Sequence, residues 1–372
     1  MDRVVPRTRL LRLGAVIALL AALLSPAAQS GVANAASTSA SPKHIFVIML
    51  ENHSQSSVLG DANAPYINAL ANEFAVAENY YGVTHPSEPN YVAAISGSNW
   101  FYNDDNPANR YPHTNLVDQL EAHHKTWAAY MEAMPSAGFL GDSANGGLYA
   151  SKHNPFVLFN DIRDNPKRLA NIKPYSSFAS DLAHNKVADF VWITPDQCND
   201  MHGGVYSPVT GFPEAPCPYG STNDDTNDAS LKQKADAFVK TTVQAIMHSS
   251  AWTGNSAIFI VTDENDYTGD KATDGWASAA GCCDSPILPP GYQFLKSDGV
   301  TPDGNTWAGG MYGGGLIPAV VVTTHGKRHF KGYQDFNHYS LLKTIEQAWN
   351  LGYLGNASDD VQVHSLLGYL HP

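Results

Sequence analysis

The stretch Thr84-His85-Pro86-Ser87-Glu88-Pro89-Asn90-Tyr91 sets one hydroxyl, that of Ser87, between two prolines and among amide and carboxylate oxygens. Pro86 and Pro89 remove backbone donors and stiffen the turn around Ser87, as a reacting atom held in line requires. A free serine hydroxyl is a poor nucleophile at neutral pH. Coordination to a cation lowers its pKa and draws a substrate oxygen to the same ion. Ligands for such a cation are at hand: Glu51-Asn52 follows one short apolar run and Asp263-Glu264 follows another. This oxygen-only set suits Mg²⁺, Ca²⁺ or Mn²⁺ better than a structural zinc site, with Asp266 an alternative ligand in the same acidic run. A metal-activated serine points to phosphate-ester cleavage, which needs a nucleophile, neutralisation of phosphoryl charge and help for the leaving group.

Several histidines could supply that help. His202 lies in the polar run Asp196-Gln197-Cys198-Asn199-Asp200-Met201-His202, where it could hydrogen-bond a phosphate or protonate a leaving alcohol. His338 opens the run His338-Tyr339-Ser340-Leu341-Leu342 and is read either as a site residue or as part of a helix cap. His85 is two residues from Ser87 and must be near it. His123-His124 are read as surface. Gly309-Gly310 and Gly313-Gly314-Gly315 lack the strand-to-helix context of a nucleotide loop and are read as flexible loop.

Such residues need elements to position them. His44–Leu50, Asp189–Thr194, Ala257–Thr262 and Ile317–Thr323, with Thr126–Tyr130 a weaker fifth, are short apolar runs with little alternation, the pattern of strands buried on both faces. Between them, Ala64–Phe74, Thr114–His124, Ser176–Asn185, Ser230–Ser249 and His338–Trp349 read as helices. Strands alternating with helices imply an α/β fold, a mostly parallel sheet with helices on both faces. Ligands of such sheets sit beyond the carboxyl ends of the strands, where both acidic pairs fall. Residues 199–229 and 264–315 are rich in Gly, Pro, Asn and Asp and read as long ordered loops. No repeat or linker interrupts the chain, so residues 36–372 are expected to form a single domain.

Residues 1–35 read as a signal peptide: Arg3, Arg7, Arg9 and Arg12, then an apolar Leu13–Leu24, then Ala33-Asn34-Ala35. A secreted, extracellular protein without a stable membrane anchor is expected. Removing four Arg and Asp2 takes the net charge from −13 to −16. Such a surface disfavours nucleic acid, whereas a bound cation reverses the sign locally for a small phosphate ester. The four cysteines, Cys198, Cys217, Cys282 and Cys283, are expected to form disulfides in that compartment. Cys198 with Cys217 would leave a vicinal Cys282-Cys283 bond; cross-pairing is the alternative.

Taken in order, Met49-Leu50-Glu51-Asn52-His53-Ser54, Pro86-Ser87-Glu88-Pro89-Asn90-Tyr91, Cys198-Asn199-Asp200-Met201-His202, Thr262-Asp263-Glu264 and His338-Tyr339-Ser340-Leu341-Leu342-Lys343-Thr344-Ile345-Glu346 resemble the bacterial phosphoesterase family of secreted acid phosphatases and phospholipases C. The likeness runs over roughly residues 43–355. It implies an alkaline-phosphatase-like doubly wound fold and one divalent metal ion (Ca, Mg, Mn or Zn) held by Glu51, Asn52, Ser87, Asp263 and Glu264. It also implies a phosphoseryl intermediate on Ser87, with His202 contacting phosphate and His85, Asn90 and His338 in the surrounding shell. Family members often carry two Asp in the downstream pair, so Glu264 is the departure. The chain is closer to the compact phosphatases than to the phospholipases C, which tend to add C-terminal β domains. The resulting expectation is an acid phosphatase acting on phosphate monoesters; the alternative is a phospholipase C-type phosphodiesterase.

Overall fold

The computed structural model describes residues 41–204, 216–220, 225–266, 279–295 and 302–372. The expected signal peptide lies outside them. Residues 40–372 form one compact unit.

Eight strands build its central sheet: β1 His44–Leu50, β2 Ala75–Tyr81, β3 Trp127–Met131, β4 Ile172–Pro174, β5 Phe190–Thr194, β6 Ser256–Thr262, β7 Ala319–Thr323 and β8 Phe330–Asn337. Their spatial order is β8-β2-β7-β6-β1-β5-β3-β4. Only β7 runs against its neighbours, β6 and β2; all other pairs are parallel. The central strands carry Ile, Val and Phe because both faces are covered. In β1, Ile45, Val47 and Met49 join the core on one face, and Phe46, Ile48 and Leu50 the core on the other. Each such side chain contributes roughly 1.5–3 kcal/mol on burial.

The principal helices are α1 Pro65–Glu73, α2 Ser87–Ser96, α3 Leu116–Ala122, α4 Phe178–Ala183, α5 Asp225–Met247 and α6 His338–Trp349. Residues of α2, α3 and α6 pack into the first core, those of α1, α4 and α5 into the second. The expected α/β architecture, a mostly parallel sheet covered on both sides, is the one found.

The five apolar runs read as strands are strands to within two residues at either end. Three more were not read. Strand β8 (FKGYQDFN) lies at the sheet edge with half of its residues exposed, β4 has three residues, and β2 (AVAENYY) is apolar only in its first half. None has the apolar run that marks a central strand.

Two local readings are corrected. Pro86-Ser87-Glu88-Pro89 is the start of a helix and not a stiffened turn: Pro86 is the N-cap of α2 and Ser87 its first residue. The missing N–H of Pro89 costs nothing there, since the first helical amides lack intrahelical acceptors anyway. The Gly313–Gly315 run is packed and hydrogen-bonded, unlike a flexible loop. Gly314 N donates to Gly82 O at 2.9 Å and Gly82 N to Gly315 O at 2.9 Å. A Cβ on Gly314 would stand 2.5 Å from the Thr84 carbonyl oxygen, so only glycine allows this approach.

Both disulfides are sequential, Cys198–Cys217 and the vicinal Cys282–Cys283. Asn337, the N-cap of α6, donates from Nδ2 to the carbonyls of Cys282 and Cys283 at 3.3 and 3.0 Å, tying that pair to the start of the helix.

Candidate active site

Backbone pairing beyond the strand ends assembles the acidic groups. Asp263 N donates to Leu50 O at 3.0 Å, and Glu51 N donates to Asp200 O at 2.7 Å, so the ends of β6, β1 and the segment after β5 are laced side by side. Glu51, Asp200 and Asp263 are fully buried and Glu264 is 4% exposed. His53, next along from Glu51-Asn52, anchors this edge: its Nε2 is 2.7 Å from Asp228 Oδ1 on α5, and Lys232 of the same helix is 2.7 Å from Asp228 Oδ2.

Ser87 enters from the N-terminus of α2. Its hydroxyl donates toward Glu51 Oε2 at 3.1 Å and lies 3.4 Å from Glu264 Oε1. Asn90, one turn on, fixes the preceding segment: its Oδ1 accepts from Val83 N (2.8 Å) and Thr84 N (3.1 Å), and its Nδ2 donates to Thr84 O (2.8 Å) and Pro86 O (3.2 Å). The same Nδ2 reaches Glu264 Oε2 at 3.4 Å. His85 Nδ1 lies 2.6 Å from that oxygen. Ser87, Glu51, Glu264, His85 and Asn90 are therefore brought together.

His338 stands behind the pair rather than beside Ser87. Its Nε2 donates to the Asp263 carbonyl at 2.5 Å, and its Nδ1 is 3.3 Å from the Tyr80 hydroxyl. These contacts fix the backbone from which Asp263 projects. His202 is reached through Lys152, whose Nζ is 3.5 Å from His202 Nε2, and its Nδ1 donates to Gly203 O at 2.6 Å. His123 and His124 are exposed, as read.

Four residues given no role at the level of sequence belong to the same cluster. His153 Nε2 is 3.0 Å from Glu51 Oε1, and its Nδ1 is 3.5 Å from Asp200 Oδ2. The buried Lys152 ammonium is 2.9 Å from Asp105 Oδ2, and Asp105 Oδ1 accepts from Glu88 N at 2.9 Å, joining Lys152 to the first turn of α2. Asp200 sat inside the quoted cysteine motif without a function. Lys152 and His153 lie in a short 3-10 turn (Ser151–His153) that follows a two-residue strand, so no long apolar run flagged them.

Burial works against negative charge throughout this cluster. Burial raises the Glu51 carboxyl to about 7. Burial first, and then neighbouring carboxylates, hold Asp263, Glu264 and Asp200 well above the usual carboxylate range. Burial pushes His85 and His202 down to about 3, so these rings do not supply positive charge. Lys152 stays charged, because Asp105, Glu51 and Glu264 outweigh its desolvation. With Lys152 the one ammonium among them, these carboxyls are favoured in the neutral form unless a further cation binds.

Hydrogen bonding agrees. Both Asp263 carboxylate oxygens and Asn52 Oδ1 are buried without a hydrogen-bond partner. Such atoms are costly unless they coordinate something. Asn52 and Asp263 thus have oxygens free to coordinate a cation, although Glu51, Asp263 and Glu264 do not converge as closely as Glu51, His153 and His202 do. On the other flank, Glu51, His153 and His202 offer one ligand atom each, all within 4.8 Å of one another, a candidate metal-binding triad.

The protein resembles known proteins in both sequence and fold. A probable acid phosphatase of Kluyveromyces lactis is 28% identical over 333 residues, covering 86% of this chain and 61% of its own length. A phosphatidylinositol-3-phosphatase of Mycobacterium tuberculosis is 34% identical over 203 residues, covering 54% of this chain and 66% of its own. The chain thus spans a little under two thirds of either relative. A solved structure from Bacteroides thetaiotaomicron, described in connection with metabolism of multiple glycosaminoglycans, aligns at TM-score 0.51 and 10% identity, covering 89% of this chain and 82% of that one, and so shares the fold. A protein in the alkaline phosphatase superfamily from Vibrio parahaemolyticus is also among the structural neighbours, at TM-score 0.47 and 11% identity, covering 87% of this chain and 71% of that one. No helix among the described residues is long and apolar enough to cross a membrane. The phosphoesterase family model matches residues 61–352, well over half of the sequence, and the chain belongs to the phosphoesterase family.

Proposed function

We propose that this chain is an exported, metal-dependent phosphatase of the acid phosphatase type that hydrolyses small phosphate monoesters through Ser87. The observation that carries this reading is the placement of the Ser87 hydroxyl. It is buried at a helix N-terminus, 3.1 and 3.4 Å from carboxylates that two separate strand ends supply. Both curated relatives are named as phosphatases, which favours the monoester over the diester.

Glu51, Asn52, Asp263 and Glu264, together with the Ser87 hydroxyl, would hold the divalent ion, which supplies Lewis acidity toward the phosphoryl group. The protein's own groups do the rest. Ser87 Oγ forms the bond to phosphorus as the bond to the leaving oxygen breaks, giving a phosphoseryl enzyme that water then hydrolyses. Its hydroxyl hydrogen points toward Glu51 Oε2, which is placed to accept it. The positive end of α2 and the Lys152 ammonium face the phosphoryl charge that develops next to Ser87. Asn90 keeps the Val83–Pro86 segment, and with it Ser87, in register with the acidic edge.

Replacing Ser87 by Ala should abolish hydrolysis of p-nitrophenyl phosphate with little change in melting temperature. The wild type should prefer that ester to bis(p-nitrophenyl) phosphate. Wild-type rates from the Ser87→Ala protein would rule out the nucleophile, and a diester preference would move the chain to the phosphodiesterase reading.

A further inference from the structure

We infer that Glu51, His153 and His202 form a second cation site, rich in nitrogen ligands, adjoining the oxygen-ligand site and sharing its Glu51 carboxylate. This rests on the role given to Glu51 in the preceding reading. The geometry comes from the hydrogen bonds of the two imidazoles.

The Gly203 carbonyl can only accept, so the 2.6 Å contact from His202 Nδ1 places the ring proton there. His202 Nε2 is left as a lone pair. His153 stands between two carboxylates, Nε2 at 3.0 Å from Glu51 Oε1 and Nδ1 at 3.5 Å from Asp200 Oδ2. A neutral imidazole has one N–H, so one of these approaches sets a ring lone pair against a carboxyl oxygen, a contact that either a carboxyl proton or a shared cation must bridge. Glu51 Oε1, His153 Nε2 and Asp200 Oδ2 are all buried, and none makes an aligned hydrogen bond.

An N···O separation of 3.0 Å without a hydrogen bond is what two ligands of one ion show. With bonds of about 2.0–2.1 Å, the edges of a coordination tetrahedron are roughly 3.3 Å. His202 Nε2 completes the triad within 4.8 Å, a spread that a small inward shift of one ring closes. His153 Nδ1 faces the Asp200 carboxylate at 3.5 Å, the side from which a carboxylate orients a metal-bound imidazole once the ring shifts toward it. Glu51 turns Oε2 toward Ser87 and Oε1 toward His153, one oxygen to each side. Two imidazoles and a carboxylate suit a borderline ion such as Zn²⁺, whereas the opposite side suits a hard ion. The competing occupant is the Lys152 ammonium, 3.5 Å from His202 Nε2.

The test is metal stoichiometry. The purified full chain, equilibrated with Zn²⁺ and then with Zn²⁺ plus Mg²⁺, is analysed for bound metal per chain by elemental mass spectrometry. Co²⁺ loading gives a visible-absorption readout of nitrogen ligation. The wild type should hold two ions. His153→Gln and His202→Asn, which retain polar packing, should each hold one and lose the Co²⁺ band, while Asp263→Asn should keep the band. Wild-type stoichiometry decides without reference to whether the variants fold.

A single ion, kept in the histidine variants and lost in Asp263→Asn, would overturn this inference and leave the oxygen-ligand reading intact, with Lys152 as the neighbouring cation. A single ion lost in the histidine variants and kept in Asp263→Asn would overturn the inference and the proposed oxygen-ligand set together. So would no bound metal.

Discussion

At Ser87 the decisive quantity is charge. Two buried carboxylates, Glu51 and Glu264, contact the hydroxyl, and the only side-chain ammonium acting on both is Lys152, among the described residues. Lys152 spans the Asp105 carboxylate and the His202 ring, so it connects the start of α2 to the loop after β5. Because Lys152 interacts electrostatically with Glu51 and Glu264, the carboxylates that contact Ser87, its charge should be felt more strongly as phosphoryl charge builds than in the resting state. Lys152→Met is expected to lower kcat/KM for p-nitrophenyl phosphate by roughly 10²–10³. An unchanged kcat/KM would assign the ammonium to Asp105 alone. These contacts were invisible in sequence because Lys152 and His153 sit 65 or more positions from Ser87, in a segment with no strand-end signature.

At the scale of elements, the site is made where three backbone segments touch: the end of β2 leading into α2, the glycine run before β7, and the segment after β6. Gly314 N donates to Gly82 O, and Asn265 N donates to Gly314 O at 2.8 Å, so the glycines couple the Ser87 segment to the acidic pair. Gly314→Ala would place a Cβ 2.5 Å from the Thr84 carbonyl and 2.7 Å from Gly82 Cα, both backbone atoms that yield only by moving the segment. A displacement near 1 Å at a reacting group costs roughly 10²-fold in rate. Gly314→Ala should therefore reduce kcat by about that factor while metal content per chain is retained. A wild-type kcat would show that the segment can shift without carrying Ser87 along.

Over the whole molecule, buried acids shape the pH response, and one of them, Glu346, lies away from the site. Glu346 on α6 is buried, its Oε1 accepts from Leu354 N at 2.8 Å, and burial raises its carboxyl to about 8. A carboxyl whose folded pKa lies above its unfolded value binds its proton more tightly when folded. Its contribution is fully present below about 4.5 and is lost as pH rises through about 8. Stability should thus fall between pH 5 and pH 8, and Glu346→Gln should flatten that slope by up to a few kcal/mol. Urea unfolding at the two pH values measures it, and parallel slopes in wild type and variant would refute the assignment.

Sequence alone determined what local chemistry can encode. Unbroken apolar runs such as His44–Leu50 marked the central strands, and the acidic pairs directly after them fell at the carboxyl edge because strand direction fixes which end is which. Ser87 was legible for a similar reason, as a hydroxyl whose flanking prolines restrict the backbone. What only the tertiary structure decided depends on contacts between distant segments. These include the helical start at Ser87, the packing of Gly313–Gly315 and the vicinal pairing of Cys282 with Cys283. Above all, they include the arrival of Lys152, His153 and Asp200 beside Glu51. No spacing along the chain announces such neighbours, since they meet through the lateral order of strands in the sheet, which is settled by burial of both faces at once.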